Sequence, residues 1–248
     1  MPSTFRRLGA GAALALALAG CAGPAPTSTP THEPAPDLVP LHTLAPTVQQ
    51  DMRYFGSHNF MGRRVAGYEA PRCWLSRPAA QALAAVQRDL ASWGLGLKVF
   101  DCYRPQAAVD DFVRWGADLS DQRTKADYYP NVPKSELFAR GYIAERSGHS
   151  RASTVDLSLV VLDAAAARTV LLGPIADGHE IDMGTPFDLF DERSHTDNPT
   201  LGVTERHNRQ WLRAVMQRHG WRNLPEEWWH YTLQNEPYPD RYFKRPVR

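Results

Sequence analysis

The sequence predicts an α+β protein with a central, largely antiparallel sheet flanked by helices. Apolar residues recur at helical spacing in three segments, and short runs that alternate or are rich in Val and Leu predict strands between them. These strands and helices do not alternate as β-α-β units, which argues against a parallel sheet. The chain has 248 residues, of which 43% are hydrophobic, so it can form one sizeable domain with its own core.

The first predicted helix spans residues 78–93. Val86 and Leu90 lie four apart on its apolar face, and Gly94 can end it because glycine readily adopts the left-handed conformation of a helix C-cap. Residues 97–101 then alternate between apolar and polar side chains, which predicts a strand.

The second half of the domain adds two helices and two strands. Pro105 suits the first turn of a helix, and the polar, tyrosine-rich residues 117–135 predict a loop. Residues 155–162 are rich in Val and Leu and predict a buried strand. Thr204 can cap a helix that runs to residue 219, and residues 230–233 predict a final short strand.

The N-terminus predicts export. Residues 1–20 have the charged and apolar regions of a signal peptide, and Leu18-Ala19-Gly20-Cys21 resembles a bacterial lipobox. That resemblance implies cleavage before Cys21 and a lipid on its thiol, hence a lipid-anchored periplasmic protein, with Ala22 favouring the outer membrane. The alternative is a cytoplasmic protein in which this segment is not processed.

The segment 21–40 is proline-rich and predicts an extended tether, and residues 41–248 are left for the folded domain. A net charge of +1 with no basic run argues against nucleic acid, and no protein partner is inferred. Contact with a membrane is expected through the lipid anchor only. Cys73 and Cys102 remain after Cys21, and the sequence leaves open a disulfide between them or two buried thiols.

The candidate metal ligands and the candidate general base lie in two short segments of the sequence. His149 and Asp156 lie in one and Glu227 and His230 in the other, which together supply three metal ligands and a spare carboxylate as a general base. In a helix His149 and Asp156 would be roughly 10 Å apart along the axis. In a strand they would be over ~20 Å apart, so a shared ion requires the chain to turn back between them.

Local chemistry supports such a turn. Ser150, Ser153 and Thr154 can satisfy nearby backbone groups with their hydroxyls. Glu227 and His230 are three apart and would face opposite sides of a strand, so Glu227 is expected on the turn before it. The alternative is that both histidines are ordinary polar residues without a metal.

Several motifs resemble one family across residues 51–248. They are Ser-x-His-Ser-Arg-x-Ser-x-x-Asp-Leu, Met-Gly-x-x-Phe-Asp, Asp-Glu-Arg-Ser-His, Glu-Trp-Trp-His-Tyr and Asp101-Cys102-Tyr103-Arg104-Pro105. In this order they resemble the VanX-type D-alanyl-D-alanine dipeptidases, zinc peptidases with a Hedgehog-like fold. The resemblance implies one zinc ion per chain and hydrolysis of the dipeptide D-Ala-D-Ala to two D-alanines.

The resemblance also implies roles for individual residues. It makes His149, Asp156 and His230 the zinc ligands and Glu227 the catalytic base. Arg104 is implied as the group that stabilises the oxyanion. The residues implied to bind the charged ends of the dipeptide are Tyr54, Ser147 and Asp188. Asp191–His195 is similar to the family too, and an ion network that braces the site is the plain interpretation.

The sequence leaves two other functions open. A D,D- or L,D-carboxypeptidase that trims peptidoglycan stems would need no partner for a free ammonium group, so Tyr54 and Asp188 argue against it. A non-catalytic lipoprotein that binds wall peptides would be expected to lack the base or the arginine, yet Glu227 and Arg104 are both present.

Overall fold

The structure is a computed structural model that describes residues 36–248. The predicted signal peptide, Cys21 and most of the predicted tether lie outside the described residues. The strands are β1 (Leu38–Pro40), β2 (Gln49–Gln50), β3 (Trp74–Ser76), β4 (Leu95–Asp101), β5 (Thr154–Val161), β6 (Trp221–Leu224) and β7 (Glu227–Leu233). The helices are α1 (Arg77–Ala91), α2 (Gln106–Ala117), α3 (Lys125–Tyr128), α4 (Ala164–Ala167) and α5 (Val203–Arg218).

The main sheet has five strands in the order β2-β4-β5-β7-β6. The β2–β4 pairing is parallel and the other pairings in this sheet are antiparallel. Helix α1 packs on β4, and α5 packs on β6 and β7. The predicted α+β class, with a largely antiparallel sheet flanked by helices, is therefore confirmed.

Strand β5 lies at the centre of the sheet, and all eight of its residues are buried. This explains its nearly continuous apolar sequence, since a strand covered on both faces has no side that favours polar residues. Asp156 is an exception to that composition. It lies opposite Asp101 of β4 on one side and opposite His230 of β7 on the other, so three polar residues occupy one level of three adjacent strands.

Helix α1 begins where Ser76 accepts a hydrogen bond from the Ala79 N–H at 3.4 Å. It ends before Gly94, which has a φ of +65° and leads directly into β4. A Cβ at Gly94 would lie 2.5 Å from the carbonyl oxygen of Asp163, so the close approach of two chain segments also requires glycine here. Gly94 has the predicted left-handed conformation, but it lies two residues beyond the C-cap of the helix, which is Ser92.

Several predicted boundaries were wrong. Residues 38–40, assigned to the tether, form β1, which pairs with the residues before α1 in a separate two-stranded sheet. The predicted loop 117–135 contains the short helix α3. Helix α5 begins at Val203 with Gly202 at its N-cap, so the Thr204 hydroxyl does not cap it.

The last strand was predicted too short, and its partner β6 was not predicted at all. Strand β7 begins at Glu227, three residues earlier than expected, and only Pro225 and Glu226 separate it from β6. The mixed polar and apolar sequence of β6 gives a weak pattern, because its residues Arg222–Leu224 are only partly covered or exposed. Among the described residues, no helix has the length and apolar character needed to cross a membrane.

Candidate active site

Three potential metal ligands from separate elements meet in one place. His149 lies on a 3-10 turn (Gly148–Arg151), Asp156 on β5 and His230 on β7. One ligand atom from each lies within 4.8 Å of the others. The His149 Nε2–Asp156 Oδ2 distance is 3.3 Å, and the His230 Nδ1–Asp156 Oδ1 distance is 3.1 Å.

The chain turns back between His149 and Asp156, as a shared ion requires. The 3-10 turn ends at Ala152, whose φ of +61° is left-handed, and β5 starts two residues later. The expectation that nearby hydroxyls would satisfy local backbone groups was wrong for this turn. Ser150 donates to the carbonyl oxygen of Arg104 at 2.8 Å, and Thr154 Oγ1 contacts the hydroxyl of Thr232 at 2.9 Å. These hydroxyls therefore fix the turn against other segments.

The orientation of the His149 ring is set by the backbone. Its Nδ1 lies 2.7 Å from the carbonyl oxygen of Cys102, so Nδ1 carries the proton and Nε2 is left free to bind a metal. Cys102 is joined to Cys73 by a disulfide, with the Cα atoms 5.2 Å apart. The carbonyl that holds the ring thus belongs to a covalently anchored residue.

The environment of the Asp156 carboxylate indicates whether the three side chains can hold a metal ion. Its carboxylate is buried, and Oδ1 lies near His230 Nδ1 without the geometry of a hydrogen bond, so it has no donor among residues 36–248. Burial by itself would raise the pKa of Asp156, but His149 and His230 outweigh it and the pKa is lowered. A buried, charged oxygen without a hydrogen-bond donor is suited to a cation, and two imidazoles with one carboxylate are a typical zinc ligand set.

Glu227 lies beside this cluster, with its Oε2 3.4 Å from His230 Nδ1. The prediction that Glu227 lies on a turn before the strand was wrong, because it is the first residue of β7. Residues 228–230 have no partner on β6, and this irregularity breaks the alternation of side chains. Asn223 stabilises it by donating from Nδ2 to the carbonyl oxygens of Glu227 at 3.0 Å and His230 at 3.1 Å.

Burial raises the pKa of Glu227 to about 7. His230 lowers this pKa and Asp156 raises it, and Arg104 lowers it further. A carboxyl group with a pKa near neutrality can accept and return a proton, as a general base must.

Arg104 lies close to the candidate ligands. Its Nε donates to Asp101 Oδ2 at 2.9 Å, one terminal nitrogen lies 3.6 Å from Asp156 Oδ2, and the other lies 3.5 Å from Ser147 Oγ. Asp101 is fully buried and also accepts the hydroxyl of Tyr68 at 2.6 Å. These contacts fix the guanidinium in one position, so its hydrogen atoms are oriented before any ligand arrives.

Asp188 is another buried carboxylate near the candidate metal ligands, and it lines the same cavity as they do. It has a φ of +63° and accepts the hydroxyl of Tyr54 at 2.9 Å. Burial raises the pKa of Asp188 well above its usual range, and the negative charges of Asp156 and Glu227 add to this effect. Arg104 opposes it. A cationic ligand would favour the ionised form of Asp188, because it would replace the lost solvation with a charge-assisted hydrogen bond.

The loop that carries Asp188, residues 183–195, is hydrogen-bonded to helix α5. Arg209, which is 1% exposed, donates to the carbonyl oxygens of Met183 at 2.6 Å, Arg193 at 2.9 Å and His195 at 2.8 Å. Burial lowers the pKa of Arg209 to about 10, and the group remains charged at neutral pH. Both ends of the loop are therefore fixed to one buried side chain.

The segment Asp191–His195 braces this loop from within. Asp191 accepts hydrogen bonds from the Arg193 side chain and from Asn131, and Ser194 donates to the carbonyl oxygen of Leu189 at 2.7 Å. None of the five residues of this segment lines the cavity. The segment therefore supports the loop from behind and does not contact a ligand in the cavity.

The cavity has a volume of about 190 Å³. The residues expected at the site from the sequence all line it, namely Tyr54, Arg104, Ser147, His149, Asp156, Asp188, Glu227 and His230. The sequence did not assign roles to Asp101, Asn223 or Arg146. Asp101 could have been noticed because it lies three residues before Arg104, but the contacts of Asn223 depend on an irregularity that no sequence pattern reveals.

A sheet that brings two histidines, one buried carboxylate and a nearby glutamate into a small cavity is an arrangement typical of metal-dependent hydrolases. Residues 35–248 match the model of a peptidase family, Peptidase_M15, described as D-Ala-D-Ala dipeptidase. The chain belongs to this family, which is a family of metallopeptidases. The family predicted from the motifs is confirmed.

Curated relatives are similar in sequence to this chain over most of their length. The chain is 43% identical to a D-alanyl-D-alanine dipeptidase of Enterococcus faecalis over 200 residues, which cover 81% of this chain and 93% of the relative. It is 40% identical to one from Streptomyces coelicolor over 211 residues, covering 85% and 98%. It is 30% identical to one from Escherichia coli over 204 residues, covering 82% and 88%.

Proposed function

We propose that this protein is a zinc-dependent dipeptidase that hydrolyses D-Ala-D-Ala to two D-alanines. The observation that carries the proposal is the convergence of His149, Asp156 and His230 within 4.8 Å, with Glu227 beside them in a small cavity. The names of the curated relatives support the substrate. The nitrogen-rich ligand set favours zinc over harder divalent ions, which prefer oxygen ligands.

Zinc would be held by His149 Nε2, an oxygen of Asp156 and His230 Nδ1. When bound, it would act as a Lewis acid and lower the pKa of a water molecule at its open position to about 7. The protein supplies the proton transfers. Glu227 accepts the proton of the attacking water and then returns it to the amine that leaves when the peptide bond breaks.

Arg104 is the proposed electrophilic group for the scissile carbonyl. Its guanidinium is already held by Asp101 and faces the cavity beside Asp156. Negative charge develops on the carbonyl oxygen as the water attacks, and an oriented cation stabilises that charge without reorganisation. Asp188 and the Tyr54 hydroxyl form the proposed binding site for the substrate ammonium group, and Ser147 adds a polar contact.

The test is hydrolysis of D-Ala-D-Ala by the purified protein with and without metal. We expect the activity to disappear after treatment with a chelator and to return with zinc, with one ion bound per chain. Absence of turnover in the zinc-loaded protein would contradict the proposed function and favour a protein that binds wall peptides without catalysis.

The acetylated substrate N-acetyl-D-Ala-D-Ala separates the dipeptidase from a carboxypeptidase. A dipeptidase that binds the free ammonium at Asp188 should strongly prefer the unblocked dipeptide, because the acetyl group removes the charge and needs additional space. Preference for the blocked substrate would indicate a D,D- or L,D-carboxypeptidase that trims peptidoglycan stems.

We also propose that the protein is exported and held in the periplasm, at the outer membrane, by a lipid on Cys21. The disulfide between Cys73 and Cys102 supports export, because such bonds persist in oxidising compartments. Its substrate there would be D-alanine dipeptide released from the wall. Fractionation of wild type and Cys21→Ala tests this: the wild type should be in the membrane fraction and the variant should not.

A further inference from the structure

The cavity contains a second arginine that the proposed mechanism does not use. Among its lining residues in the described chain, Arg104 and Arg146 are the two permanent cations. Arg146 is exposed and lies two residues before Gly148, where the 3-10 turn that carries His149 begins. Its guanidinium carbon lies 4.2 Å from the centroid of the Tyr242 ring.

The two arginines differ in their partners. Arg104 lies next to the carboxylates of Asp101 and Asp156, which offset its charge. Within residues 36–248, no carboxylate lies within ion-pair distance of Arg146, and its one described partner is the face of Tyr242. Stacking on an aromatic ring restricts the side chain while leaving the edge of the guanidinium available for hydrogen bonds.

A free dipeptide has a terminal carboxylate that needs a cationic partner in the site. A free dipeptide carries an ammonium group, a scissile carbonyl and a carboxylate, and the first two are matched by Asp188 and Arg104. Arg104 cannot also bind the terminal carboxylate without leaving the carbonyl. The other charged side chains that line the cavity, Asp156, Asp188 and Glu227, are acidic, and Ser147 offers a carboxylate only a neutral hydroxyl. Arg146 is therefore the lining cation that remains for the carboxylate.

We propose that Arg146 binds the C-terminal carboxylate of the substrate and thereby selects free dipeptides over C-terminally extended or blocked ones. This inference rests on the proposed dipeptidase function and adds a specificity determinant to it. A guanidinium presents parallel N–H groups that match a carboxylate, so the contact fixes the orientation of the ligand as well as adding affinity.

The test compares D-Ala-D-Ala with D-alanyl-D-alaninamide, in which the carboxylate is replaced by a neutral amide. Both release D-alanine, so one assay follows both. For Arg146→Gln we expect kcat/KM to fall about five- to tenfold with the free acid, mainly through KM, and to change less than about twofold with the amide. Arg146→Lys should retain part of the preference, since it keeps the charge.

Arg140→Gln is the matched control. Arg140 is an exposed arginine six residues away, it pairs with Glu136, and it does not line the cavity. We expect it to leave both substrates unaffected. Added salt should reduce the acid-over-amide preference of the wild type and not that of Arg146→Gln, because the contact lies at the solvent-exposed rim.

The outcomes separate this inference from the function on which it rests. Equal losses with both substrates, or no loss with either, would overturn the role of Arg146 while leaving the dipeptidase intact. Failure of the zinc-loaded wild type to hydrolyse either substrate would instead reject the dipeptidase function, and the assignment of Arg146 with it. Thermal unfolding of the variant checks that it is folded.

Discussion

Three residues of the candidate site are positioned by contacts with residues outside the group of candidate metal ligands. The carbonyl oxygen of Cys102 holds the His149 ring, and the Asp101 carboxylate holds Arg104. The backbone at His230 is held by the amide of Asn223. Because these partners do not depend on a bound ion, the geometry exists before metal or substrate binds, which lowers the cost of both binding events.

Glu227→Gln should remove turnover while leaving the metal bound. Glutamine has nearly the same shape but cannot accept the proton of the attacking water, so we expect kcat to fall by at least about 100-fold. The checks are steady-state kinetics and metal content by mass spectrometry. Glu226→Gln, at the exposed neighbouring position, is the control and should behave as wild type. A Glu227→Gln variant with unchanged kcat would contradict the role of this residue.

Asn223 should affect catalysis without touching the substrate. Its amide bridges the carbonyl oxygens of Glu227 and His230, and the Thr196 hydroxyl, which lies 2.6 Å from its Oδ1, fixes its orientation. For Asn223→Ala we expect kcat to fall about tenfold, because small displacements of a base are costly. Arg222→Ala, at the exposed adjacent position, should leave kcat unchanged. Kinetics after reconstitution with zinc, with equal metal content in all samples, provide the measurement.

At the scale of elements, the site depends on how one helix holds one loop. Helix α5 contributes Arg209, which lies beneath the loop that carries Asp188 and 5.9 Å from the Trp228 ring. Trp228 in turn donates to the Thr185 hydroxyl at 2.9 Å. The loop has little regular structure of its own, so these buried polar contacts define its course.

Arg209→Met should destabilise the fold by about 3 to 5 kcal/mol. The carbonyl oxygens of Met183 and Arg193 would lose the donor described for them, and that of His195 would keep only the Asn198 N–H. The control is Arg213→Met, one helical turn further along α5, where an exposed pair with Asp197 is worth less than about 1 kcal/mol. Urea unfolding followed by circular dichroism gives the free energy of unfolding. A loss below 1 kcal/mol for Arg209→Met would show that the loop is held by other contacts.

The sequence predicted the strongly patterned elements and a set of residues that the structure places around one cavity, while the roles of those residues stay predictions. The helical period of α1 was clear because the helix buries one face, and the Val- and Leu-rich sequence of β5 was clear because that strand is buried on both faces. The predicted position of Glu227 was wrong because the alternation rule assumes a regular strand, and residues 228–230, which have no partner on β6, interrupt that regularity. The partners of Ser150 and Thr154 lie far away in sequence, and local turn chemistry does not identify them.

At the scale of the whole molecule, the disulfide joins the residue before β3 to the residue after β4. Cys73 and Cys102 are 29 positions apart in the sequence and the segment between them includes α1, so the bond closes a loop around one helix and its adjoining strands. Such a bond restricts the unfolded chain more than the folded one.

The double variant Cys73→Ala and Cys102→Ala should therefore lower the free energy of unfolding by about 3 kcal/mol. The comparison is with wild type under non-reducing conditions, and reduced wild type should unfold near the variant. Equal stability of oxidised wild type and variant would mean that the surrounding core carries this region by itself. Differential scanning calorimetry of the three samples is a suitable measurement.

Three polar residues lie directly opposite one another on neighbouring strands, namely Asp101, Asp156 and His230. A one-residue slip in either pairing would turn a polar side chain away from its partners and place an apolar neighbour among them. A slip between β5 and β7 would separate two of the proposed metal ligands, Asp156 and His230. Under the proposed function, the stoichiometry of bound metal would therefore report the fraction of molecules in which β5 and β7 have paired in register.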